Sequence, residues 1–187
     1  MHDSKEHILN SALQLFLEKG FEAATMMDLV RASGFSKGAF YHHFKNKEDL
    51  YHATIEHFFL RYFQQSPLSE NLSLKELALG FAGGYAQMLS EVQLVAPDLT
   101  AYYRFLFSVL PRVRPELQVF HQQARAALVL AIQRDCPQSP IPPEQAADHV
   151  LSLIEGAGVL AVMQQVPFEA TVTRHLESYL KLLQSSE

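Results

Sequence analysis

One cysteine, Cys136, and no tryptophan occur among the 187 residues of the chain. A single thiol cannot close an internal disulfide, nor can it supply the cysteine framework of a zinc finger. A reducing cytoplasm is the compartment that suits such a chain. Long apolar runs are also missing. The longest small-apolar run is GAGVLAVM at 156–163, well short of the roughly 18 residues needed to span a bilayer, so no membrane partner is expected. The polar N-terminus MHDSKEHILN has no apolar signal-peptide core behind it. Gly-rich phosphate loops, nucleophile elbows and paired-carboxylate motifs are absent too. His42 and His43 are adjacent and face different ways on a helix, while His52 and His57 are five apart rather than three or four. Neither a metal, a cofactor nor catalysis is expected.

What is present is helical. Hydrophobic residues make up 48% of the chain and charged residues 19%, an ordinary globular mix with room for one large domain or a small one plus a larger one. Apolar positions recur at helical spacing, with no sustained alternating run. The spacing predicts helices over about 4–19, 25–33, 37–44, 47–65, 73–91, 97–110, 114–134, 144–165 and 168–185. Gly20 and Gly34 are placed to stop helices. Thr25 with Asp28, Ser36 and Asn46 are placed to cap them. Ser66-Pro67 breaks one helix and Pro97 opens another at a favoured position. Pro111 and Pro115 punctuate a junction, CPQSPIPP at 136–143 is the clearest loop, and Pro167 splits the last two helices. The natural boundary lies where short helices give way to long ones, giving domains 1–47 and 48–187.

Net charge is −5, which argues at first against a nucleic-acid partner. Its distribution argues otherwise. Residues 31–47 hold Arg31, Lys37, Lys45 and Lys47 and no acid, leaving eleven basic against twenty acidic side chains elsewhere. A positive island on an acidic body suits an anionic partner; a solvated helix face would read the same way.

The island coincides with FSKGAFYHHFKNKEDL, which mixes rings, short side chains and lysines. Two short helices joined by a turn containing Gly34 form a helix-turn-helix pattern. Val30 and Phe40 fall on inner faces, Phe44 closes the end, and Ala32 is small where the helices would approach. Lys37, Gly38 and Ala39 then stand at the outer N-terminal turn, followed by Tyr41, His42 and His43. In this motif that turn enters the major groove. A lysine there can donate to guanine and an alanine methyl can meet a thymine methyl, while Tyr and His can reach phosphates. Lys47 begins the next helix, where a phosphate is also favoured.

These residues carry a resemblance. TMMDLVRASGFSKGAFYHHFKNKEDLYHATI resembles the signature of the tetracycline-repressor (TetR) family of bacterial regulators. Thr25, Gly34-Phe35-Ser36, Gly38-Ala39-Phe40-Tyr41, His43-Phe44 and Lys45-Asn46-Lys47-Glu48 match within a stretch from about Ile8 to Leu50. The resemblance implies an all-α protein: an N-terminal three-helix helix-turn-helix DNA-binding domain and a larger C-terminal helical domain for ligand binding and dimerisation. It implies a homodimeric, ligand-responsive repressor on a palindromic double-stranded operator, with an activator of the same fold as the alternative. The implied DNA contacts are Thr25, Lys37, Gly38, Ala39, Tyr41, His42, His43 and Lys47.

Two further expectations concern the C-terminal part. Gly156, Ala157 and Gly158 interrupt an apolar helix, and mid-helix glycine costs about 1 kcal/mol relative to alanine. Close approach of another helix would offset that, either within the chain or across a dyad. With the resemblance the interface is expected at Gly156, Ala157, Gly158, Val159, Leu176, Tyr179 and Leu180. The centre is aromatic: Phe81, Tyr85, Met88, Tyr103 and Phe107, with His121 and Arg125 as polar partners, are candidates to line a pocket for a small hydrophobic or amphipathic effector. A plain aromatic core would produce the same stripe. A helical enzyme using His121 or His149 as base, and an adaptor whose basic island meets an acidic protein, are the readings from other classes.

Overall fold

The structure, a computed structural model, describes the backbone of residues 2–64, 71–95 and 98–185 and the side chains of 4–62, 71–95 and 98–185. Every regular element among them is helical. α1 (His2–Lys19) ends at Gly20, whose φ of 78° lets its amide reach back 2.9 Å to the Phe16 carbonyl. α2 (Met26–Ser33), α3 (Lys37–His43) and α4 (Lys47–Ile55) follow, each with a side-chain cap where the sequence placed one. A π-helical turn, Glu56–Leu60, joins α4 to α5 (Arg61–Gln64). The expected break at Ser66-Pro67 and the expected start at Pro97 lie outside the described residues.

α6 (Leu74–Val95) opens with a capping box that the expected helix starts do not include. The Ser73 amide donates to Glu76 at 2.8 Å, and the Glu76 amide returns a bond to the Ser73 hydroxyl at 3.2 Å. α7 (Leu99–Asp135) corrects an expectation, for one helix runs through both Pro111 and Pro115. The prolines are four apart, so they share a face, and both are exposed. Each removes one amide, which deprives the carbonyls of Phe107 and Pro111 of donors only on the side open to water. Val109 and Val113, buried opposite, keep the helix packed. α8 (Pro143–Gln164) begins with proline at its first position and stops at Gln165, held at φ 53°. α9 is Phe168–Gln184.

The chain divides into two compact units, residues 1–61 with 88–114 and residues 62–87 with 115–187. In the first, α1 supplies Ile8, Leu9, Leu13 and Phe16, and α4 supplies Leu50, Tyr51 and Ile55. Their rings continue into the first half of α7. Phe16 stacks 6.5 Å from Phe105 and meets Tyr51 edge-on at 5.2 Å, while Phe59 stacks 5.4 Å from Tyr102. Arg104 donates to the Leu17 carbonyl at 3.2 Å, and the Arg112 guanidinium lies 4.9 Å from the Phe21 ring. Ring contacts of Phe16 with Tyr51 and Phe105 thus join residues on either side of the expected boundary between 47 and 48.

The second unit is built on α8 and α9. Ala146, Ala147, Val150, Ile154, Ala157 and Ala161 of α8 are buried, as are Val172, Leu176, Leu180 and Leu183 of α9. Small residues on α8 allow close packing. Leu74 donates its amide to Asp135 at 2.7 Å, and Arg134 donates to the Leu72 carbonyl at 2.6 Å, tying the start of α6 to the end of α7. α8 is also apolar and long enough to cross a bilayer, with mean hydropathy 1.4 over 18 residues. Uninterrupted apolar runs alone do not reveal that length. Here its inner face packs within the unit and Glu155 interrupts its middle.

The ring cluster gives a direct test. Phe105→Ala should lower the stability of the first unit by about 3–5 kcal/mol, seen as an earlier urea midpoint for helix loss, although Phe105 lies far along the sequence from the helix-turn-helix.

Candidate nucleic-acid interface

The local geometry begins at Thr25. Its hydroxyl accepts from the Asp28 amide at 3.2 Å and donates to the Asp28 carboxylate at 2.8 Å, and its amide donates to the same carboxylate at 3.2 Å. These bonds hold the Asp28 carboxyl below its ordinary range. Gly34 ends α2 at φ 70°, and a Cβ built there would meet no neighbouring atom within 4 Å, so conformation rather than space calls for glycine. The small residue inside the turn is Ser33, not the expected Ala32, which is exposed. Ser33 donates to the Val30 carbonyl at 2.8 Å and accepts from the Phe35 amide at 3.3 Å, so one buried hydroxyl fixes both sides of the turn.

Ser36 caps α3 through the Ala39 amide at 3.3 Å. Phe40 is fully buried and Phe44 nearly so, and these anchors turn the other face outward. Lys37, Gly38, Ala39, Tyr41 and His42 are exposed, and His43 is half-buried against Phe44. Lys37 Nζ lies 6.0 Å from the Tyr41 ring. A Cβ at Gly38 would meet nothing within 4 Å, so no packing within the chain demands glycine there. The face presents a cation, a backbone without a side chain, a methyl, a phenol and an imidazole.

Two of the expected contacts also make bonds within the chain. The Thr25 hydroxyl serves its own cap. Lys47 sends its ammonium back to the Phe21 carbonyl at 2.9 Å and the Glu22 carbonyl at 3.4 Å, over the Phe21 ring at 4.3 Å. It closes the loop between α1 and α2. The acceptors lie about 25 residues away in sequence, so local spacing gives no sign of them.

Residues 8–54 match the family model for bacterial regulatory proteins of the tetR family. The N-terminal segment of the chain is thus similar to the helix-turn-helix segment of tetR-family regulators. Over 58 residues it is 43% identical to the uncharacterized HTH-type transcriptional regulator YerO of Bacillus subtilis (strain 168), covering 31% of this chain and 20% of that protein. Over 64 residues it is 36% identical to the HTH-type transcriptional repressor NemR of Escherichia coli (strain K12), covering 34% of this chain and 32% of that one. The chain thus spans a fifth to a third of the length of these curated relatives. The TetR family transcriptional regulator PfmR from Thermus thermophilus shares the fold along 96% of this chain and 95% of its own, with TM-score 0.61 and 23% identity.

The seven expected ligand residues divide between the two units. Met88, Tyr103 and Phe107 belong to the first, and Phe81, Tyr85, His121 and Arg125 to the second. Met88 is buried and receives a bond from the Tyr102 hydroxyl at 3.6 Å, while Phe107 is 65% exposed. Arg125 is bound to Asp148 at 2.6 and 3.1 Å, an exposed link between α7 and α8. Of the expected interface residues, Ala157, Gly158, Leu176 and Leu180 are buried inside the second unit, where α8 meets α9. Tyr179 bonds His149 Nδ1 at 2.8 Å. Gly156 and Val159 face outward.

Lys47→Met keeps an apolar stem on Phe21 and removes the donor to both carbonyls. The expected outcome is a loss of about 1 kcal/mol or somewhat more, read as a lower urea midpoint in the absence of DNA; an unchanged midpoint would exclude the loop-closing role.

Proposed function

We propose that this chain is a DNA-binding transcriptional regulator of the TetR family, most simply a repressor, acting from the cytoplasm as a homodimer on a palindromic operator and released by a small effector. The observation that carries it is the outer face of α3. Lys37, Gly38 and Ala39 stand exposed at its first turn while Phe40 and Phe44 hold the helix from behind. A cation beside a bare backbone and a methyl suits base edges in a major groove. Tyr41, His42 and His43 follow at phosphate reach. Thr25 and Lys47 support this surface from beneath, through the cap and the loop. In this reading residues 1–47 form the reading head and 48–187 the regulatory part.

Dimerisation is supported by a second surface. Gly156, Val159, Leu160 and Met163 of α8 and Leu182 of α9 are exposed, and a Cβ at Gly156 would meet nothing within 4 Å. Among the described residues nothing packs against the position of a Gly156 Cβ, whereas a dyad-related helix would use the space. A dimer would set two α3 helices in successive major grooves, about 34–36 Å apart.

Two measurements test this. Titration of the protein with its own promoter DNA should give a log K that falls steeply and linearly with log salt, and Lys37→Ala should change base preference at one position of each half-site. No preference over random duplex would overturn the reading. Met163→Asp should shift sedimentation from dimer to monomer and weaken operator binding, while the wild type stays dimeric.

A further inference from the structure

Glu155 interrupts the apolar helix α8, and the groups that meet it are a phenol and an imidazole. Its carboxylate accepts a hydrogen bond from the Tyr85 hydroxyl of α6, and His121 Nε2 of α7 stands 4.0 Å from its Oε1. Around these three groups are rings. Tyr85 packs 5.1 Å from Phe168, Phe120 flanks His121 at 6.1 Å, and Phe81 meets Phe120 edge-on at 6.0 Å. All six side chains lie in the second unit. The neighbouring link between α7 and α8 is a true salt bridge, Arg125 to Asp148. Here the corresponding partner is an imidazole whose basicity burial pushes below its ordinary value, so it is a poor counter-ion at neutral pH. Burial likewise raises the Glu155 carboxyl.

Access and walls are separated. The side chains of His121 and Glu155 remain 46% and 48% open, whereas Phe81, Tyr85 and Phe168 are buried. A carboxyl group facing a phenol and an imidazole therefore stands half open beside an aromatic cluster. Ring faces carry the negative part of the aromatic quadrupole and attract cations. A carboxylate ligand would be repelled by Glu155, and a neutral one would leave it uncompensated. A ligand cation would supply the missing charge while its apolar body met the rings.

We propose that Glu155, Tyr85, His121 and the adjoining rings form a binding site for a small organic cation with an aromatic or apolar body, and that such a cation is the effector. The binding claim stands on the site alone; only the word effector rests on the regulator reading above.

Three soluble probes of similar shape test it: phenethylammonium, 2-phenylethanol and phenylacetate, titrated into the full-length protein at neutral pH by calorimetry or chemical-shift perturbation. Phenethylammonium should bind at least about tenfold more tightly than 2-phenylethanol, with phenylacetate weaker still. Glu155→Gln should abolish the advantage of the cation while leaving folding and promoter binding intact, and Tyr85→Phe should weaken it. Equal binding of the three probes, no binding of any, or an undiminished preference in Glu155→Gln would overturn the site. Promoter binding without any probe is measured in the same preparations, so a failure of the regulator reading would show separately from a failure of the site. If the site holds and the regulator reading fails, cation selectivity persists in a protein that does not bind its promoter.

Discussion

The ring of Tyr51 is the constraint on which the first unit depends. It sits 4.2 Å from Phe21, 5.2 Å from Phe16 and 6.0 Å from Phe105, so one side chain of α4 touches the loop after α1, α1 itself and α7. Burial raises its hydroxyl pKa, and the Arg112 guanidinium 5.3 Å from the ring opposes that rise. Aromatic pairs in offset or edge-on geometry add about 0.5–1.5 kcal/mol each beyond the area they bury. A three-helix head of some fifty residues is small for an independent core. The rings of 102–105 enlarge it, and the orientation of α3 inherits their rigidity through Phe40 and Phe44.

Sequence signals are legible where their physics is local. The Thr25–Asp28 box, the Ser36 and Asn46 caps and the positive φ at Gly34 each involve groups within four residues, and all are present. All-helical architecture follows from periodicity for the same reason. Spacing misleads where a distant contact decides. Ala32 and Ser33 are equally small, and only the azimuth of an eight-residue helix chooses which faces inward. Lys47 has two plausible destinations, a phosphate or a carbonyl, and the fold brings the carbonyls to it. Pro111 and Pro115 are strong local breakers, overridden because their spacing places both on the wet side of α7.

The aromatic stripe shows the same limit. Tyr102, Phe105 and Phe81 look alike in sequence, yet the first two complete the head and the third belongs to the second unit. Composition counts rings but does not assign them. Glu155 escapes a sequence reading for a related reason: a lone acid in an apolar helix is conspicuous, but its meaning comes from the tyrosine and histidine that meet it from two other helices. Small residues on α8 likewise serve two ends, with Ala157 and Gly158 turned to α9 and Gly156 turned away.

The π-helical turn at 56–60 has a consequence for phase. Bonds from each residue to the fifth before it, rather than the fourth, accommodate one extra residue, so everything after it lags a regular helix by about 100°. Phe59 lies inside that lag and stacks nearly parallel on Tyr102, with planes 8° apart. A single surplus residue thus works as a rotational offset, timing where the aromatic side of one helix comes round to meet another.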